Sequence, residues 1–517
     1  MHIEIRSSVD AQGKPLYPNW TLIGAGRAAE ALREDWRRQL EEAQAEIGFD
    51  YIRFHGIFHD DMMICQEGNT YFDDSPAKNA TPYNWTYVDE VFDFLLDVGI
   101  RPIVEFGFMP SALASGEKTI FWWKGHVTPP EDWQKWDELV HALMCHWINR
   151  YGREELRAWY YEVWNEPDLP TIFWAATQQD YFTLYRHTVN VIKALDEEFM
   201  VGGPATSSFN ETEHGREVPW MKDFLTFCKE ENLPVDFVSS HPYPTSWSFD
   251  EGTKKNKMGY RGPDSTLNDI TLLKETMKEA GMEEPEIHIT EWNSSPRQKD
   301  LVKDTAFMAP YVIKNSIDSL GLVDSLGFWT FTDIFEENKI GDAIFHGGMG
   351  MITVNGLKKA SYYGYWFLSR LGEEIVDQGE QYIVTKSPDD MFQVLVWHYC
   401  HYDERLGSGD VSVLTHHNRY DGFRKQDDLT CGISLALPRG DYRAIQYEFG
   451  RHKGNVFDTW VANGAPDQPD EQEMNILQKY AGPEARIEYL YDTDRFERPV
   501  TLAPHDVCLI ELSRRFS

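Results

Sequence analysis

Apolar residues in the first two-thirds of the chain come in short runs. Trp20–Gly24, Tyr51–His55, Ile100–Phe106, Trp159–Trp164, Met200–Gly203, Val235–His241, Glu286–Thr290 and Leu326–Phe331 each read as a buried strand. Most of the gaps between them hold an amphipathic helical pattern, at Ala29–Ile47, Thr86–Val98, Trp133–Tyr151, Gln179–Leu195, Trp220–Glu231, Ser265–Ala280 and Asp304–Ser319. Alternating strands and helices imply parallel strands joined by helical crossovers. Eight strand runs of this kind predict an α/β fold, a (β/α)8 TIM barrel with insertions. A doubly wound open sheet is the competing arrangement. No G-x-G-x-x-G opens a helix here, which counts against it.

Beyond about residue 350 the pattern changes. Tyr382–Thr385, Met391–Tyr399, Asp428–Leu437, Tyr442–Tyr447 and Asp506–Leu512 read as strands separated by turn residues. Helical patterns are few, chiefly near Ser361–Leu371 and Glu471–Lys479. This is the signature of a β-sandwich. Ile3–Val9 also reads as a strand, and it precedes the barrel. The predicted division is therefore residues 1–14 as an N-terminal strand joining the sandwich, 15–350 as the barrel, and 351–517 as a C-terminal β-sandwich domain. No low-complexity linker separates them, so tight packing is expected.

A barrel carries its working groups at the C-terminal ends of its strands. Arg53 and His55 end the second run, Glu166 follows the fourth, His241 and Tyr243 the sixth, Glu291 the seventh, and Trp329 and Asp333 the eighth. Two stretches stand out. Trp159-Tyr-Tyr-Glu-Val-Trp-Asn-Glu-Pro167 delivers Asn165 and Glu166 to a strand end, and Glu286-Ile-His-Ile-Thr-Glu-Trp-Asn293 delivers Glu291. Two carboxylic acids so placed are what glycoside hydrolysis needs. One protonates the leaving oxygen, and the other attacks the sugar carbon or activates a water.

The neighbours fit that chemistry. The Asn165 amide can hydrogen-bond a sugar hydroxyl, and Pro167 biases Glu166 toward an extended turn. The Tyr243 hydroxyl can hold a carboxylate ionised and oriented, and His241 can bind a hydroxyl. Trp329 can floor a sugar subsite, while Glu336 and Glu337 can accept bonds from ring hydroxyls. Glu162 shares a strand face with Glu166, and it reads either as a buried partner of Arg53 or as a substrate contact. The clusters His59-Asp60-Asp61 and His398, Tyr399, His401 lack recognised metal-ligand spacing, so no metal and no cofactor is expected.

Charge and composition narrow the partners. A formal charge of −35 disfavours nucleic acid and anionic membranes, and it leaves a neutral oligosaccharide unrepelled. The 18 Trp residues suit stacking on sugar faces, although large barrels also bury Trp in their cores. Six scattered cysteines form no C-x-x-C pair and suit a reducing compartment. The N-terminus lacks the pattern of a signal peptide, and no apolar stretch is long enough to span a bilayer, so a cytoplasmic location is expected.

With these residues in hand, the chain resembles the β-xylosidases of glycoside hydrolase family 39. The resemblance is carried by Tyr51-Ile-Arg-Phe-His-Gly56, Glu105-Phe-Gly-Phe-Met-Pro110, Phe121-Trp-Trp-Lys-Gly-His-Val-Thr-Pro-Pro130, Glu162-Val-Trp-Asn-Glu-Pro167, His241-Pro-Tyr243, Thr290-Glu291 and Trp329-Thr-Phe-Thr-Asp-Ile-Phe-Glu-Glu337. It implies a retaining, exo-acting double displacement that releases xylose from xylo-oligosaccharides, with Glu166 as acid/base and Glu291 as nucleophile. It further implies that Asn165, His55, His241, Tyr243, Glu336 and Glu337 hold the sugar, that Trp329 and Phe121 shape the subsite, and that the chain is a homo-oligomer, often a tetramer in this family. One departure stands at His126, where the family loop carries Asn; this bears on leaving-group preference. An α-L-iduronidase would need cationic contacts for a uronate, which the acidic pair Glu336 and Glu337 disfavours. Another pentosidase, such as an α-L-arabinopyranosidase, and a non-catalytic carbohydrate-binding barrel are the alternatives.

Overall fold

The computed structural model describes residues 2–9, 12–65, 83–208, 219–250, 255–337, 341, 343–388, 391–412, 414–415 and 417–516. Eight strands close into a barrel: β1 (Leu22–Arg27), β2 (Tyr51–His55), β3 (Arg101–Glu105), β4 (Tyr160–Glu162), β5 (Met200–Thr206), β6 (Phe237–Ser240), β7 (Glu286–Trp292) and β8 (Ser325–Phe328). Neighbouring strands are parallel, and β8 pairs back onto β1. The open-sheet alternative is thereby excluded. The strands are buried on both faces along most of their length, which explains why they read as continuous apolar runs and not as alternation.

Several helices cover the outside with one apolar stripe each, while Met308–Asp318 and Ala360–Leu368 are buried nearly all round. In Trp133–Tyr151 the residues Trp136, Leu139, Val140, Leu143, Met144 and Trp147 are buried, a spacing of three and four. Asp132 caps its first turn by accepting from the Gln134 N–H, and Gly152 with φ of 84° ends it. Gln178–Leu195 starts with a reciprocal Thr177–Asp180 capping box. The expected helix Ala29–Ile47 is divided into a 3-10 turn, Ala28–Leu32, and an α-helix, Glu34–Glu46.

Six strands of the C-terminal part join His2–Ser8 and Lys14–Pro15 in one mixed eight-stranded sheet. It covers a core of its own, in which Ile5, Val384, Val394, Ile433, Leu435 and Phe496 are buried together. The runs expected as two strands at 428–437 and 442–447 are one 21-residue strand, Leu429–Phe449. Its ladder shifts register between Ala436, Gly440 and Tyr442. Pro438-Arg-Gly440 therefore marks a bend within a strand, where the sequence suggested a turn. Its partner Glu484–Leu502 was not expected, because nearly every residue from 484 to 492 is exposed and charged or polar residues mask the strand pattern. His2–Ser8 lies parallel to Leu429–Phe449, so the N-terminal strand belongs to this sheet.

Candidate active site

The site is organised around Arg53, which is completely buried near the C-terminal end of β2. The in-register pairing of Glu105 with Glu162 sets two carboxylates side by side on β3 and β4. The Arg53 guanidinium reaches both at 2.8 Å and Glu291 at 2.5 Å. It also donates to the Asn165 side-chain oxygen at 2.9 Å. Planar, five-donor geometry suits one arginine to bridge so many acceptors. Glu162 is thus the buried partner of Arg53. Burial alone would lower the Arg53 pKa, but Glu162, Glu105 and Glu291 raise it above its ordinary value.

Glu291 ends β7. It accepts from Arg53 and, at 3.0 Å, from the Tyr243 hydroxyl. Burial pushes its carboxyl above the usual range, against the pull of His241, Arg53 and His55. Burial and the charge of Glu291 hold the Tyr243 phenol far above its ordinary pKa, so it remains a donor. His55 lies within 2.6 Å of Glu105, 3.6 Å of Glu291 and 3.5 Å of Glu337. Burial disfavours its charge, yet Glu105 and Glu337 outweigh that and raise its imidazole to about 10.

Glu166 follows β4 in an unusual backbone. Trp164 and Glu166 have φ of 73° and 44°, values that non-glycine residues rarely adopt. The extended turn expected from Pro167 is therefore not formed. A bond from the Glu166 N–H to the Ala205 carbonyl, 2.8 Å, anchors the residue in this conformation. Backbone strain of this kind collects at functional sites. Glu166 is 8% and Glu291 5% exposed. A carboxylate oxygen of each lies, with a ring nitrogen of His241, in a cluster whose atoms are all within 4.8 Å of one another. His241 bridges Glu166 at 2.8 Å and the Thr290 hydroxyl at 3.0 Å. Both of its ring nitrogens are thereby engaged in hydrogen bonds.

Aromatic residues line the site. Trp329 lies 4.8 Å from the His55 ring and 5.5 Å from the Arg53 guanidinium. Its ring occupies space left by Gly24, where a Cβ would collide with it. Phe121 packs near His55, Phe108 and Phe173, at 6.2, 6.3 and 5.6 Å between centroids. Glu337 accepts from Gln298 at 2.7 Å and faces His55. Glu336 is held differently: Arg27 and Arg33 clasp its carboxylate at 2.9 and 3.3 Å. Its backbone N–H bonds Glu30, whose carboxyl burial raises to about 8. His126 sits in a two-residue strand, with its ring nitrogen 3.3 Å from the Gly116 carbonyl.

The structure thus brings Glu166, Glu291, Asn165, His55, His241, Tyr243, Trp329 and Glu337 together, places Phe121 beside them, and sets Glu336 in an arginine clasp. Arg53 was expected at a strand end and as a partner of Glu162, whereas sequence reasoning gave no role to Glu105, Thr290, Gln298, Arg27, Arg33 or Glu30. For Glu105 the signal was present, since a charge inside an apolar run must have a buried partner. Elsewhere, His59 pairs with Asp61 at 2.7 Å, and both ring nitrogens of His398 and of His401 are committed to hydrogen bonds.

A (β/α)8 barrel bearing two close carboxyls at the ends of β4 and β7 defines a barrel glycosidase. The family model for glycosyl hydrolases family 39 matches residues 1–494. The chain belongs to this family. It is 34% identical over 502 residues to a β-xylosidase of Geobacillus stearothermophilus, covering 96% of this chain and 93% of that one. It is 38% identical over 356 residues to a β-xylosidase of Caldicellulosiruptor saccharolyticus, covering 69% of each. A crystal structure of a monomeric β-xylosidase from Caulobacter crescentus CB15 superposes with a TM-score of 0.87 at 28% identity, covering 99% of this chain and all of that one.

Proposed function

We propose that this glycosidase is a retaining, exo-acting β-xylosidase, with Glu166 as acid/base and Glu291 as nucleophile. The observation that carries the reading is the closeness of the two carboxyls, one oxygen of each lying within 4.8 Å of the other. A close pair suits retention, with roughly 5–5.5 Å between the groups, whereas inversion leaves about 6.5–9.5 Å for a water. In the first step a Glu291 oxygen bonds to the anomeric carbon. The bond to the leaving oxygen breaks, and that oxygen takes the proton of Glu166. In the second step water attacks the same carbon and gives a proton to Glu166, and Glu291 departs as carboxylate. Arg53 and Tyr243 orient Glu291 for the attack.

Xylose is supported by the two β-xylosidase relatives and by the deep burial of the acid pair, which suits a pocket for one terminal ring over an open groove. A panel of aryl β-D-xyloside, α-L-arabinopyranoside, β-D-glucoside and β-D-galactoside tests this. The xyloside is expected to have the highest kcat/KM, and proton NMR is expected to show the β-anomer first. A higher kcat/KM on the arabinopyranoside would assign the other pentosidase, and the α-anomer first would overturn retention.

The reading extends to assembly and compartment. The strand Glu484–Leu502 pairs only with Leu429–Phe449 among the described residues. Its alternate residues Ile487, Tyr489 and Tyr491 are 58%, 50% and 69% exposed. A second copy running antiparallel about Ile487 would set Arg486 against Glu488 twice and cover this edge. Light scattering on the intact chain should give a dimer or a multiple of it, reduced by Ile487→Lys. A monomer at all concentrations would exclude this contact. Six cysteines without disulfide partners support a reducing compartment such as the cytoplasm.

A further inference from the structure

We infer that Thr290 and Glu162 act as positioning residues that fix the tautomer of His241, and through it hold the proton of Glu166. The inference rests on the reading of Glu166 as acid/base.

The argument is one of donor and acceptor counting along a buried chain. The Glu162 carboxylate is ion-paired to Arg53 and can only accept. Its other oxygen lies 2.8 Å from the Thr290 hydroxyl, which must therefore donate to it. A hydroxyl has one proton. With that proton spent, the Thr290 oxygen can only accept from the His241 Nε2, 3.0 Å away. His241 thus carries its proton on Nε2. Complete burial lowers its pKa, which favours the neutral ring. The Nδ1 of a neutral Nε2–H tautomer is a lone pair, and it faces Glu166 at 2.8 Å. Only a protonated Glu166 can satisfy that contact. Glu162, Thr290 and His241 are wholly buried, so no water competes along the chain.

The consequence divides between the two chemical steps. Before glycosylation the Glu166 O–H rests against Nδ1. It is handed to the leaving oxygen when the carboxyl turns toward the aglycone: the Glu166 O–H bond breaks, the alcohol O–H forms, and the electron pair stays on Glu166. The carboxylate so formed faces a lone pair, and that repulsion makes it a stronger base for the water of the second step. One geometry therefore serves acid and base in turn. The other charged groups that act on His241 are Glu291 at 3.8 Å, Arg53, His55, Glu105 and Glu162.

Two-bond nitrogen–proton correlation spectra of the full-length enzyme test the tautomer directly, with the His241 signal assigned by its loss in His241→Asn. We expect neutral His241 to be protonated on Nε2, and protonation on Nδ1 would overturn the proposal. Thr290→Val removes the hydroxyl at nearly constant shape and frees the ring to present Nδ1–H to the carboxylate. The basic limb of its kcat/KM profile should then fall by roughly one to two pH units, the size of exchanging one hydrogen bond to a charged group. The loss should be larger on substrates with poor leaving groups, and Thr290→Ser should restore the limb. An unchanged tautomer and limb in Thr290→Val would also overturn it. If Thr290→Val does not fold, the wild-type spectrum decides alone. Failure of the parent reading shows separately: Glu166→Ala would then slow good and poor leaving groups equally, whatever the tautomer.

Discussion

Two buried ionic clusters lie in this molecule, and they are built on opposite principles. In one, Arg419 of the C-terminal region meets Asp304 at 2.5 Å, and Lys359 meets Asp333 at 3.0 Å and Asp304 at 3.3 Å. With the adjoining buried Lys303 and Asp300, three cations face three carboxylates. Backbone groups complete the set: Gly347 and Gly350 donate to Asp304 and Asp333, and the carbonyls of Phe345 and Gly348 accept from Arg419 and Lys359. At the barrel mouth, Arg53 and His55 face Glu105, Glu162 and Glu291, with Glu166 and Glu337 close by. Carboxyls there outnumber cations. A cluster that only welds elements together is stable when balanced. A surplus of negative charge is costly until a positive partner arrives, and the oxocarbenium-like transition state of glycoside cleavage is one. The imbalance, more than the burial, marks the candidate site.

The comparison can be broken most sharply at Glu291. Glu291→Gly should reduce kcat by roughly four to six powers of ten while leaving the fold intact, since covalent catalysis is removed. Azide should restore turnover of an activated aryl glycoside, with product of inverted configuration by NMR. Azide rescue with inversion through Glu166→Ala instead would exchange the two assignments.

The balanced cluster should respond in the opposite sense. Asp304→Ala leaves Arg419 and Lys359 buried with one carboxylate between them, and should cost about 3–5 kcal/mol of stability. The kcat of the folded fraction should stay near wild type, because the cluster touches no reacting atom. Denaturant unfolding paired with active-site titration separates the two readouts, and a large fall in kcat at full folding would erase the contrast.

Smaller effects follow from pH, and the clusters should fail at opposite ends of the scale. Burial works against the Asp304 carboxylate, but Lys359 and Arg419 lower its pKa below the ordinary value. Its contribution is therefore complete above the unfolded carboxylate range and is lost as pH falls through the depressed folded value. His55 is raised to about 10. Its contribution is complete below the unfolded value, about 6.5, and disappears as pH rises through the folded one. Melting temperatures of wild type and His55→Gln should therefore converge between roughly pH 7 and pH 10. Parallel curves across that window would show that His55 carries no charge difference between the folded and unfolded states.

The chain itself specified the architecture. Eight apolar runs and the helical stripes between them sufficed for a closed barrel, because a strand buried on both faces must be apolar whatever its neighbours. Strand-end position singled out Glu166, Glu291, His241, Tyr243 and Trp329 as candidates, and the closed barrel brings them together, since a barrel offers chemistry at one face only. The long strands Leu429–Phe449 and Glu484–Leu502 were less legible, because a bend and an exposed edge carry little hydrophobic signal. What no local pattern could decide was pairing. That Arg53 binds three glutamates from three other strands depends on barrel closure and register. So does the line from Glu162 through Thr290 and His241 to Glu166, which spans residues up to 128 apart. The sequence determined which groups stand at the mouth of the barrel. The tertiary structure alone decided which proton each of them holds, because a proton's place is set by partners that only the closed barrel brings within hydrogen-bond reach.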